Sequence, residues 1–302
     1  MLQNLSYSIP NPSLHGTSNE SCTGDFVSES KHSYQSFFCE RLEDCKYCTN
    51  LRDVRDSYDW DYVGYQGEQC YECLGTGDGI FHAMFCTHIW GNVRNIYYCD
   101  LCMDVEHCFA CVGLRNKQYC ILNKQYTEEE YNILVPKIIE HMRKTGEWGE
   151  FFSPSLSPFG YNETVAMEYF PLSKEEVLKL GFNWSDYEPP FPKVEKIIPA
   201  SKLPENIADI PDDILNWAIE CEVTKKPFRI IKQELEFYRK HSLPIPRRHP
   251  DQRHLDRLAL RNPRKLYERK CDQCHKDMIT TYAPDRPETV YCEECYQREV
   301  YG

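Results

Sequence analysis

Cys45-Lys-Tyr-Cys48-Thr-Asn-Leu51-Arg52 returns 63 residues later as Cys108-Phe-Ala-Cys111-Val-Gly-Leu114-Arg115. The echo extends further, since Ser57 falls on Cys120. Between and around the two copies, Cys or Ser recurs about every 12 or 13 residues, at 45, 57, 70, 86, 99, 108 and 120, with 86 and 108 off the beat. Short apolar or aromatic pieces (SYDWDYVGY, CYECLG, IFHAMFC, VRNIYYC, QYCILN) alternate with Gly, Asp and Asn, as in short strands joined by tight turns. Such spacing suits the half-turns of a parallel β-solenoid, in which equivalent side chains stack from rung to rung. Residues 33–126 hold eleven of the 17 cysteines and form this Cys-rich β-repeat region.

Outward from that region the chain reads as an α+β multi-module protein. Residues 1–32 are polar and aperiodic, a flexible arm or the ragged start of a sheet. Residues 127–187 form a helical capping region. Thr127 and Glu130 make a capping box, and Tyr131, Leu134, Val135, Ile138, Ile139 and Met142 follow as one apolar stripe. Pro136 is placed to kink this helix, which would cover the last rung of the solenoid. Ser173 and Glu176 make a second capping box. Residues 188–212 are proline-rich and read as an extended linker. Residues 213–269 form a basic region that looks like a zinc module, and residues 270–302 form a ribbon.

The ribbon carries the clearest chemistry. Cys271-x2-Cys274 and Cys292-x2-Cys295 flank 17 residues, enough for a strand, a turn at Pro284–Pro287 and a return strand. Two Cys-x2-Cys turns supply four thiolates at tetrahedral corners, the shell of a structural Zn2+ site with no open position for catalysis. A segment this short has almost no core. Metal binding, on the order of 10 kcal/mol, must therefore supply its folding energy. The bland alternatives are a chance pattern or two disulfides.

Bulk properties bound the rest. The net charge of −12 is unevenly spread. Residues 1–220 hold 17 Lys+Arg against 34 Asp+Glu, residues 221–270 hold 15 against 6, and residues 271–302 hold 3 against 7. No apolar run is long enough for a membrane span. The N-terminal MLQNLSYSIPNPSLHG lacks a basic start and an apolar stretch, so a cytoplasmic setting is expected, with thiols as metal ligands or small buried groups.

The basic band is the lead to a partner. Arg253, Arg257 and Arg261 recur every fourth residue and would line one helix face. Arg247, Arg248, Arg264 and Lys265 flank them, with Arg269 and Lys270 beyond. Such a band can hold a nucleic-acid or ribonucleoprotein backbone. The competing reading, favoured here, is a solvated face or intramolecular pairing with the acidic body.

Other cysteines have blander readings. Cys45/Cys48, Cys70/Cys73, Cys99/Cys102 and Cys108/Cys111 have knuckle spacing and could form further zinc sites. Cys is also among the most buried residues, and the Ser at 57 costs a ligand but not a packing position, so buried ladders are favoured. His82, His88 and His107 lie nearby. GTGDG at 75–79 lacks a phosphate loop's Lys-Ser/Thr and reads as a tight turn. No small-molecule cofactor is evident.

Two resemblances add to this. The stretch from Cys221 through Pro227-Phe228, Glu234-x-x-Phe237-Tyr238 and His249-Pro-Asp-Gln252-Arg253 resembles a known zinc-binding module with two Cys-x2-Cys pairs. Thr224 and Gln252 stand where that module has thiols, which implies a fold kept and a metal lost. Cys221 then reads as a small buried thiol. The segments GLRNKQYCILNKQYTEEEY, GEWGEFFSPSLSPFGYNETVA, KPFRIIKQELEFYRKHSLPIPRRHPDQRH and CDQCHKDMITTYAPDRPETVYCEECYQREVY resemble an uncharacterised bacterial family known mainly from environmental genomes. Some members carry a type III CoA-transferase label. That fold calls for a long α/β chain with a carboxylate nucleophile, which a cysteine-rich half does not supply. The expected function is a zinc-binding, non-enzymatic interaction scaffold. The alternative is an enzyme with a site on the solenoid face built from His82 or His88 with Asp78.

Overall fold

A computed structural model describes residues 7–65, 67–73, 81–87, 89, 91–188, 190–191 and 193–302. It divides into two units, residues 1–156 with 263–302 and residues 157–262. Each is described by itself.

The first unit contains a β-solenoid of about eight coils. Its strands include β3 (Gly24–Ser28), β4 (Ser36–Glu43) and β5 (Thr49–Arg55), each paired in parallel with the next. The register places Val27 against Cys39, Leu42 against Val54 and Cys108 against Cys120. Twelve or thirteen residues therefore make a whole coil, where the repeat had suggested a half-turn.

A period of three explains why the coil closes so tightly. At Phe26, Glu29, His32, Gln35, Phe38, Arg41, Asp44, Tyr47, Asn50, Asp53, Asp56 and Asp59, φ lies between 45° and 58°. Each left-handed residue turns the chain, and the next residue points inward. Four three-residue sides give one coil. The left-handed region is costly for most L-residues and least so for Asn and Asp. The run Asn50, Asp53, Asp56, Asp59 obeys that preference.

The inward positions form columns. Bridges from Lys46 to Tyr58, Tyr71 and Met84, and on to Tyr97 and Phe109, fix one column as Cys45, Ser57, Cys70, Ala83, Ile96, Cys108 and Cys120. Cys86 and Cys99 belong to the next column, with Cys48, Trp60, Cys73 and Cys111. The repeat at 86 and 99 was thus a slip between neighbouring columns.

Small side chains suit so narrow an interior, and Cys and Ser have a further reason to exchange. Ser57 Oγ donates to the Arg55 carbonyl at 2.7 Å, and Cys45 Sγ to the Glu43 carbonyl at 3.3 Å. Cys99, Cys102 and Cys111 also donate to carbonyls nine residues ahead, on the next coil, at 3.5 Å. Burial, first among its causes, pushes the Cys39 thiol up to about 12. These cysteines sit in ladders as buried packing groups. Among the described residues, Trp60 is the largest fully buried side chain. Gly67 makes room for it on the next coil, where a Cβ would lie 2.4 Å from the indole.

At the C-terminal end of the solenoid, α1 (Glu128–Thr145) begins at the expected capping box, with Glu130 N donating to Thr127 Oγ1 at 3.2 Å and Thr127 N to Glu130 Oε2 at 3.0 Å. Its Tyr131 and Val135 are buried against Phe109 and Ile121 of the last coils. The helix runs on through Pro136 to Thr145.

Three expectations are corrected. Residues 16–32, assigned to a flexible arm or the ragged start of a sheet, are ordered and already wind into the solenoid, since β2 (Gly16–Thr17) pairs with β3. Before them, β1 (Asn11–Pro12) pairs with a strand of the ribbon. Residues 188–212, expected as an extended linker, contribute β12 (Lys196–Pro199) and the buried Ala200, Leu203, Ile207 and Ile210 to the core of the second unit. The boundary near 269 falls at 262/263, so the basic region is divided between units.

That second unit holds β13 (Trp217–Glu220), β14 (Pro227–Phe228), α2 (Lys232–Lys240) and α3 (Pro250–Leu258). In the ribbon, β15 (Tyr267–Lys270) pairs antiparallel with β16 (Asp277–Thr280), followed by β17 (Val290–Tyr291) and α4 (Glu293–Val300). Among the described residues no helix is long and apolar enough to cross a membrane.

Candidate metal centre

Cys271 closes β15 and opens a knuckle. Its amide donates to the Lys276 carbonyl at 2.9 Å, and the His275 amide returns to the Cys271 carbonyl at 2.9 Å. His275 holds the turn with φ 61°. The turn aims the Cys271 and Cys274 thiols at one point. From the other side, Cys292 caps α4 and Cys295 lies in its first turn. All four sulfurs lie within 4.8 Å of one another, and Cys274 and Cys292 are 3.7 Å apart. Sulfurs at the corners of a tetrahedron about a 2.3 Å metal–sulfur bond are separated by about 3.8 Å. The four thiols are thus close enough to bind a metal ion. Among the described residues, no other group of three or more His, Cys, Asp or Glu converges in this way.

The electrostatics fit a thiolate shell. Burial pushes the Cys271 thiol up, but amides of Cys274, Cys292 and Gln273 outweigh it and hold it at about 6. The Cys292 amide reaches Cys271 Sγ at 3.2 Å. Burial and the three neighbouring thiols push Cys295 up to about 12. Four sulfurs this close cannot all ionise without a cation between them. All four are thiol donors, so the shell is closed and offers no open coordination position.

The same backbone occurs at residues 221–258. The Cys221 amide donates to the Lys226 carbonyl at 3.0 Å, and the Lys225 amide to the Cys221 carbonyl at 3.1 Å. Lys225 has φ 60°, as His275 has 61°. One residue on, Glu222 N donates to the Arg247 carbonyl at 3.1 Å, where Asp272 N donates to the Val290 carbonyl at 3.0 Å. Two residues after each acceptor, His249 caps α3 and Cys292 caps α4. This register aligns Cys221, Thr224, His249 and Gln252 with Cys271, Cys274, Cys292 and Cys295.

Those side chains have other work. His249 Nδ1 accepts from the Asp251 amide at 3.2 Å, capping the helix, and Gln252 Nε2 donates to Asp256 Oδ1 at 2.8 Å. Burial raises the Cys221 thiol, but the Thr224 hydroxyl and amides of His249, Thr224 and Val223 bring it down to about 7.

Comparison of the chain with protein-family models, with curated proteins and with solved structures finds no match. The chemistry therefore stands on geometry alone.

The basic band is largely committed within its own units. Arg248 bridges Glu222 at 2.6 Å and Asp256 at 2.8 Å. Arg253 meets Glu234 at 3.6 Å and Tyr238 at 3.4 Å, and Arg247 donates to the Leu203 carbonyl at 3.3 Å. Arg264 packs over Phe38 and faces Asp61 at 3.5 Å. The helix stops at Leu258, so Arg261 lies past it and the expected three-arginine helical face is shortened. Arg257, Arg261 and Lys265 are exposed, with Lys265 in the other unit.

For the enzymatic alternative, Asp78, His88 and the GTGDG turn lie outside the described residues, as does the side chain of His82. His107 stacks on Tyr119 at 5.1 Å. An open groove of about 500 Å³ lies between the solenoid and the β15–β16 hairpin; its lining includes Tyr34, Lys46, Tyr47 and Glu268 but no imidazole or thiol.

What sequence reasoning missed is where the ribbon docks. Asn11 and Pro12 of β1 pair in parallel with Val290 and Tyr291 of β17, and Thr281 Oγ1 donates to the buried Asp25 Oδ2 at 2.7 Å. No local signal at Asp25 or Thr281 announces a partner more than 250 residues away.

Proposed function

We propose that the protein is a zinc-binding, non-enzymatic scaffold: a solenoid body whose ribbon is folded around one structural Zn2+ held by Cys271, Cys274, Cys292 and Cys295. The observation that carries this is the convergence of four thiol sulfurs, within 4.8 Å of one another, in a segment with almost no apolar core. An all-thiol shell prefers zinc to the hard cations, which take oxygen ligands. None of the 17 cysteines is in a disulfide, which suits a reducing, cytoplasmic compartment. Kinship with the environmental bacterial family is part of the same proposal and rests on the quoted segments.

A polyanion partner has less support, because Arg247, Arg248 and Arg253 are engaged within their own unit. It rests on the exposed Arg257. Elemental analysis of the purified chain tests the main reading: one zinc per chain is expected, lost on Cys292→Ser. A metal-free protein, or zinc unchanged in that variant, would overturn it.

A further inference from the structure

The ribbon's four-thiol cluster and the segment that leads into the solenoid's first coil meet at one short strand. β17 ends at Tyr291, directly before Cys292. On one side the Val290 carbonyl accepts from the Asp272 amide of the knuckle at 3.0 Å, and Val290 N donates to Asp272 Oδ2 at 2.7 Å. On its other side the strand holds the N-terminal segment: Asn11 N donates to the Thr289 carbonyl and Ser13 N to the Tyr291 carbonyl, both at 2.9 Å. A two-residue strand pair has no stability of its own. Its order must come from what flanks it.

The second tie is a buried carboxylate. Asp25, 2 % exposed, is the second residue of β3. One oxygen, Oδ1, accepts from the His15 amide at 2.6 Å and the Phe26 amide at 3.1 Å, and lies 3.0 Å from His15 Nδ1. The other, Oδ2, takes the Thr281 hydroxyl. A buried carboxylate oxygen left without its donor is expensive, so Thr281 in place stabilises Asp25 at the start of the first coils. Thr280 ends β16, the strand that leaves the knuckle, and Thr281 follows it; both are buried.

We propose that the ribbon is a metal-operated latch on the solenoid. Loading the four thiolates orders β17 and Thr281, which hold β1 and Asp25; unloading them frees the N-terminal strand and the first coil while later coils stay wound. This rests on the zinc reading of the same four cysteines. A coil contacts only its neighbours, so loss of an end cap spreads from that end rather than through the whole stack.

Hydrogen exchange of the full chain, read in peptides spanning residues 9–31 and 93–112, tests the latch. Cobalt substitution reports the thiolate shell independently through its charge-transfer absorption. On chelation, exchange in 9–31 should rise about tenfold or more, as for amides dropping to frayed-end protection, with 93–112 unchanged. In cobalt-loaded Thr281→Val the absorption should persist while protection at 24–28 falls. A normal cobalt spectrum with 9–31 indifferent to chelation would sink the latch and leave the metal site standing. Loss of protection in 93–112 as well would sink it as a local device. Absence of a thiolate spectrum would remove the zinc reading and the latch together.

Discussion

The knuckle at Cys221 and the knuckle at Cys271 share a backbone but not a means of support. The hydrogen bonds within each turn agree to within 0.2 Å, the left-handed residue sits at the same place, and a helix starts after the same cap position. Around Cys221 lie Ile207, Ile214, Ile219, Phe228, Ile230, Leu235 and Ile245, all buried. Around Cys271 the corresponding cluster is Cys292 and Cys295, with Met278 and Tyr291 half-buried beside them. One copy is held by apolar burial; in the other the thiols themselves are the core. A knuckle turn is thus a local hydrogen-bonded conformation. A metal would be needed only where nothing else fills the space under the turn.

The largest way to test that contrast is to remove metal. Chelation should cost the ribbon binding energy on the order of 10 kcal/mol. The His275 amide should lose its exchange protection while the Lys225 amide keeps it. Equal loss at both would break the comparison. Next, Thr224→Cys, His249→Cys and Gln252→Cys together should restore a thiol shell on the matched backbone. Zinc stoichiometry would then rise from one ion per chain to two, by elemental analysis; an unchanged stoichiometry would show that the backbones match less closely than their hydrogen bonds suggest.

A smaller effect separates the two cores. Ile219→Ala should cost the second unit about 2–5 kcal/mol, as for other buried aliphatic truncations, by chemical denaturation. Met278→Ala in the metal-loaded ribbon should cost well under that, because its side chain is only half-buried. The smallest effect is one of pH. Folding lowers the Cys221 thiol from its ordinary value near 9 to about 7. A depressed folded-state value adds stability that is present in full above the unfolded value and is lost as pH falls through the folded one. The second unit should therefore gain stability from pH 7 to 9, and Cys221→Ala should flatten that rise.

Much of this was legible in the residues. The paired Cys-x2-Cys spacing announced the ribbon because tetrahedral ligation needs that local turn. The recurrence of Cys45–Arg52 at Cys108–Arg115 announced a solenoid, and Thr127 with Glu130 marked the start of its capping helix. The period of three was present too, in Asn50, Asp53, Asp56 and Asp59. It was obscured because inward positions are filled alike by Cys, Ser, Leu, Val and Trp, so no single residue type traces it. The slip from Ala83 and Ile96 to Cys86 and Cys99 followed from tracking cysteine instead of the fold's inward direction.

The sequence by itself determined what is local: turn conformations, helix caps, and a four-thiol set whose members lie within 25 residues of one another. Only the tertiary structure decided that Asp25 would receive its hydrogen bond from Thr281, that β1 would pair with β17, and that the arginines would be divided between two units. Those outcomes depend on which surfaces meet after the chain has folded. Burial and hydrogen-bond satisfaction select them over distances at which spacing along the chain carries no information.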